Sequence, residues 1–120
     1  MGAVMENLVD AGKADSLKPG EMTRMSVQGR EILIVRVGEE YFAADNRCPH
    51  AGGDLSHGRL EGTIITCPRH KSQFDLRDGR VIRWTVWPGV VVAVDQFRSR
   101  RRNLKVYPVT IQNGRIMLKL

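Results

Sequence analysis

Cys48-Pro49-His50 is followed, after sixteen residues, by Cys67-Pro68-Arg69-His70, and these two clusters hold both cysteines of the 120-residue chain. Each cluster pairs one thiol with one imidazole. Thiolates favour zinc and iron–sulfur chemistry, and imidazole serves either metal. Two kinds of site use two of each. One is a tetrahedral zinc site; the other is a [2Fe–2S] cluster in which two His replace two Cys on one iron. The usual zinc spacing sets Cys beside Cys and His beside His. Here both clusters are mixed, which favours the iron–sulfur reading. A disulfide between Cys48 and Cys67 would leave the two nearby histidines unexplained.

Such ligands need two rigid loops brought face to face, and the flanking pattern provides them. Asn7 to Ala11, Met22 to Val27, Glu31 to Val37 and Tyr41 to Asp45 read as strands. The third is so rich in Ile, Leu and Val that burial on both faces is expected. Ala14 to Leu17 reads as one helical turn. Lys18 to Glu21, Gln28-Gly29-Arg30 and Gly38-Glu39-Glu40 are turns. Gly62 to Thr66 leads as a strand into Cys67, Gln73 to Asp75 leaves the second cluster as another, and Asp78-Gly79 is a hairpin signal. Leu104 to Ile111 and Arg115 to Leu120 form a closing hairpin around Gln112-Asn113-Gly114. Short strands at this spacing indicate an all-β antiparallel sandwich or barrel. Residues 1–120 read as a single domain, with residues 45–79 as a ligand-binding sub-domain of two loops. Residues 80–103, with Trp84, Trp87 and an arginine run, are not assigned.

Cys48-Pro49-His50-Ala51-Gly52-Gly53-Asp54-Leu55 and Cys67-Pro68-Arg69-His70-Lys71-Ser72-Gln73-Phe74-Asp75 resemble the two cluster-binding loops of Rieske ferredoxins. The resemblance implies a Rieske-type fold and one [2Fe–2S] cluster. Cys48 and Cys67 would bind the inner iron, and His50 and His70 the outer one. Neutral imidazoles in place of two thiolates raise the potential into a range of roughly −150 to +300 mV. In respiratory members of the family an extra Cys in each loop forms a disulfide; those places hold Gly53 and Arg69 here. Ser72 matches a serine that donates to the cluster in those members. Phe74 stands where they have a hydroxyl-bearing Tyr. A potential in the lower half of the range is therefore expected. Lys71 departs from the Gly common after the second His, and its charge would favour the reduced state if it points toward the cluster. The imidazole N–H groups would make the potential fall as pH rises through the alkaline range.

The resemblance extends to function: the ferredoxin component of multicomponent ring-hydroxylating oxygenases, a one-electron carrier from a flavin-dependent reductase to a terminal oxygenase, and not an enzyme in itself. A second reading is a small Rieske subunit of a nitrite-reductase-like complex. A third is a zinc-stabilised binding module. The net charge of +6 suits an acidic docking surface on the partner. Arg98, Arg100, Arg101 and Arg102 could supply that docking charge or simply form a solvated loop. No nucleic-acid-recognition motif accompanies them. His57 reads as a surface or packing residue. No apolar run approaches the length of a membrane span and no signal-peptide pattern opens the chain, so a soluble, cytoplasmic protein is expected.

Overall fold

The computed structural model describes residues 8–49, 52–69, 71–83 and 103–120. His50, His70, Trp84, Trp87 and the arginine run at 98–102 lie outside the described residues. The strands, in chain order, are β1 (Leu8–Lys13), β2 (Met22–Val27), β3 (Arg30–Val37), β4 (Glu40–Asp45), β5 (Arg59–Glu61), β6 (Ile64–Thr66), β7 (Gln73–Asp75), β8 (Val81–Arg83), β9 (Val106–Tyr107), β10 (Val109–Gln112) and β11 (Arg115–Lys119). They form three antiparallel sheets, ordered β2-β3-β4-β9, β1-β11-β10 and β5-β6-β7-β8. The all-β expectation is met.

The centre of the molecule is β3. Ile32, Leu33, Ile34 and Val35 are all fully buried, as expected for a strand covered on both faces. Side chains alternate across a strand, so the four residues serve two cores. Leu33 and Val35 pack with Ala44, Ile65, Phe74, Leu76 and both cysteines. Ile32 and Ile34 pack with Ala43, Tyr107, Ile116 and Leu118. Each such side chain contributes roughly 1.5–3 kcal/mol of burial. The cysteines therefore sit on one side of the central sheet, and the β1-β11-β10 sheet covers the other.

Turn chemistry sets the register. Gln28 and Gly29 (φ 51° and 79°) join β2 to β3, and Asn113 and Gly114 (φ 54° and 75°) join β10 to β11. Two successive positive φ values match the twist of the flanking strands. Ala14–Ser16 is a single 3-10 turn, where one helical turn was expected.

Two expectations are corrected. Leu104 to Ile111 is not one strand. It divides at Pro108 into β9, paired with β4, and β10, paired with β11. Pro108 has no N–H to donate to a ladder, and the chain changes sheets there while its carbonyl accepts from the Lys119 N–H (3.0 Å). The strand entering the second cluster is shorter than Gly62 to Thr66. Gly62 (φ 59°) and Thr63 instead form the turn from β5, a strand too short to announce itself.

The β7–β8 loop is closed by Asp75 N–H to Arg80 O (2.9 Å) and Gly79 N–H to Asp75 O (2.6 Å). Asp75 is buried, and Arg77 Nη2 donates to its Oδ2 at 2.7 Å. The Arg77 guanidinium, working against desolvation, holds this carboxyl down to about 2. Among the described residues no helix is long and apolar enough to cross a membrane.

Candidate metal centre

Two loops carry the candidate ligands, and their backbones close alike. In the first, the Cys48 N–H donates to Gly53 O (2.9 Å) and Cys48 O accepts from the Gly52 N–H (2.7 Å). In the second, the Cys67 N–H donates to Ser72 O (2.8 Å) and Cys67 O accepts from the Lys71 N–H (3.1 Å). Each pair of bonds joins the cysteine to the residues four and five positions on. The residue at the fourth position is left-handed in both, Gly52 at φ 72° and Lys71 at φ 63°. Glycine adopts that conformation without strain; for lysine it costs about 1 kcal/mol or more.

The first loop leaves β4 and returns through an antiparallel bridge between Arg47 and Asp54. A polar knot ties its base. The buried Asn46 donates through Nδ2 to Asp54 Oδ1 (2.7 Å) and accepts at Oδ1 from the Ser56 N–H (2.8 Å). Ser56 Oγ also donates to Asp54, and Arg24 Nη1, on β2, donates to Asp54 Oδ2 at 2.9 Å. Burial pushes the Asp54 carboxyl up, but the hydrogen bonds from Ser56 and Asn46 outweigh it and leave the group below its ordinary value. Sequence reasoning missed this knot. Its local signal is Asp54-x-Ser56, the side-chain cap of the 3-10 turn Leu55–His57.

The two loops meet. Cys48 and Cys67 are 2% and 1% exposed and belong to one core with Leu33, Leu55 and Phe74. A Cβ placed on Gly53 would lie 2.6 Å from Cys67 Sγ, and 3.1 and 3.2 Å from Cγ and Cδ of Arg69. The first loop thus passes directly over the second cysteine's sulfur, with Gly53 facing Arg69. Ser72 and Phe74, the residues expected to tune the site, are fully buried beside it. Lys71 is exposed. His57 is also exposed, with Nδ1 3.6 Å from Asp54 Oδ2. Two buried thiols on loops in contact, one of them passing only because Gly53 lacks a side chain, are a fitting cradle for a thiolate-held [2Fe–2S] cluster.

Residues 7–107 match the Rieske [2Fe-2S] domain family. The ferredoxin component of the naphthalene 1,2-dioxygenase/salicylate 5-hydroxylase systems of a Ralstonia species is 33% identical over 115 residues, covering 96% of this chain and 97% of the relative. Among solved structures, the ferredoxin of carbazole 1,9a-dioxygenase from Nocardioides aromaticivorans IC177 superposes with a TM-score of 0.75 at 29% identity, over 93% of this chain and 96% of its own. The Sphingomonas yanoikuyae B1 ferredoxin gives a TM-score of 0.74 at 28% identity, over 95% and 99%. The chain belongs to the Rieske [2Fe–2S] domain family, whose single [2Fe–2S] cluster is its cofactor.

Proposed function

We propose that this protein is a cytoplasmic one-electron carrier that takes electrons from a flavin-dependent reductase and passes them to a terminal oxygenase. The observation that carries the reading is the meeting of two matched loops on a pair of buried cysteines, in a chain similar over almost its whole length to the ferredoxin component of a dioxygenase system. Cys48 and Cys67 would hold the cluster through sulfur, and His50 and His70 through imidazole nitrogen. The bound cluster supplies a one-electron couple whose potential the imidazoles raise above that of an all-Cys centre.

The chain's own residues shape that couple. Leu33, Leu55, Ile65 and Phe74 keep water from the sulfur side, which strengthens every charge interaction there. Ser72 stands where a hydroxyl can be offered to the site. Phe74 offers none, which keeps the potential in the lower half of the Rieske range. The whole chain is one domain in this reading, with residues 45–79 as the ligand-binding part.

The test is purification followed by iron and acid-labile sulfide analysis and a reconstituted electron-transfer assay. Two irons and two sulfides per chain are expected for the cluster, together with reduction by a ferredoxin reductase and reoxidation by an oxygenase. A colourless, zinc-containing protein would overturn the reading in favour of a zinc-stabilised module.

A further inference from the structure

An open groove runs beside the second loop, lined by Arg59, Glu61, Cys67, Lys71, Gln73 and Arg83. Among the described residues, three cations, one carboxylate and the imidazole of His57 line it. Arg59 is paired with Glu61 at 3.5 Å. Among the described residues no carboxylate lies within ion-pair distance of Lys71 or Arg83. The two are held together, because Arg83 Nε donates to Lys71 O at 3.3 Å. Lys71 also occupies a left-handed position that the matching loop fills with Gly52. A lysine held in strained backbone, exposed, next to a second cation that no described carboxylate pairs and at the rim of the metal centre is arranged for an anionic partner.

We propose that Lys71 and Arg83, with Arg59 at the margin, form a cationic seat for a carboxylate-rich face of the redox partner, and that Lys71 sets the rate of encounter. This rests on the electron-carrier reading above and places the docking charge beside the second ligand loop. Opposite charge speeds association most at low salt.

The variant K71G relieves the backbone strain, so its melting temperature should hold or rise by a few degrees, about 2–5 °C. The reduced holoprotein is then reoxidised by hexacyanoferrate(III) or by hexaammineruthenium(III), each of which takes one electron with no bond made or broken. Taking the ratio of the two rate constants cancels any change in driving force. Removal of one charge about 10 Å from a trivalent ion should lower that ratio about tenfold at about 10 mM ionic strength, and the effect should vanish near about 1 M. Poly-L-glutamate should slow the hexacyanoferrate(III) reaction of the native protein more than that of K71G. The control K119Q loses the same charge on β11, across the central sheet, and should leave the ratio unchanged. An unchanged ratio in K71G, an equal change in K119Q, or a lowered melting temperature in K71G would overturn the proposal. A colourless protein would overturn the electron-carrier reading with it, whereas a coloured protein with an unchanged ratio overturns this one alone.

Discussion

Phe74 is fully buried in the core that holds both cysteines, and its ring brings no hydroxyl there. A donor at that place interacts more strongly with the sulfurs once an electron has been added, because the acceptor then carries more negative charge. A differential of about 1 kcal/mol corresponds to about 40 mV for a one-electron couple. Phe74→Tyr should therefore raise the potential by about that amount in a spectroelectrochemical titration; an unchanged or lower value would contradict the argument. At this scale most of the candidate site is legible in the sequence, because Cys48, Cys67, Ser72 and Phe74 lie within two short local motifs. For Lys71 the sequence offered only a hint, a lysine at a place where the resembling family commonly has Gly; its left-handed backbone is seen in the structure. Gly53 is similar: its close approach to Cys67 Sγ, which a Cβ would meet at 2.6 Å, joins two loops that the chain keeps apart by more than a dozen residues.

Elements hold the loops in place through a few contacts, and only the Asp54-x-Ser56 cap among them is a local pattern. Asp54 gathers Asn46 from the end of β4, Ser56 from the following turn and Arg24 from β2. Asp54→Ala strands the buried Asn46 amide and releases the first loop from the central sheet. It should cost about 2–3 kcal/mol in urea denaturation and hasten loss of the visible chromophore. Equal stability and chromophore lifetime would show the knot to be incidental.

Gly79 makes a similar long-range point. It has φ 80°, and a Cβ there would lie 1.9 Å from Leu104 O, the residue whose N–H donates to Gly79 O. Gly79→Ala combines a clash with an unfavourable backbone angle, so a loss of about 2 kcal/mol or more is expected in the same assay. Asp78-Gly79 announced a hairpin, and Gln28-Gly29 and Asn113-Gly114 announced theirs, because turn chemistry is local. That Gly79 also seats the chain returning at Leu104 is not local, and neither is the division of the last hairpin between two sheets at Pro108.

At the scale of the whole molecule, two cores lie on opposite faces of one sheet, and only one of them contains the cysteines. Metal binding couples to the folding of the side that would supply the candidate ligands. Iron chelation should therefore accelerate amide exchange at Cys67, Phe74 and Leu76, while Ile32, Ile34, Ile116 and Leu118 keep most of their protection. Uniform loss of protection would indicate a single cooperative core.

Acid acts on the cysteine side as well. Asp75 is held at about 2 by Arg77, below the ordinary carboxylate value near 3.9. Its contribution, about 2 kcal/mol, is complete above about pH 4 and is lost as pH falls through about 2. Asp75→Asn should be less stable at neutral pH and should lack that acid step in denaturation midpoints.

A cluster held by two thiolates and two imidazoles has a distinctive electron paramagnetic resonance spectrum, recorded on the dithionite-reduced protein at low temperature. A rhombic signal whose average g lies clearly below that of all-Cys [2Fe–2S] centres is expected. A silent spectrum from a colourless protein, or a signal with the average g of an all-Cys cluster, would contradict it.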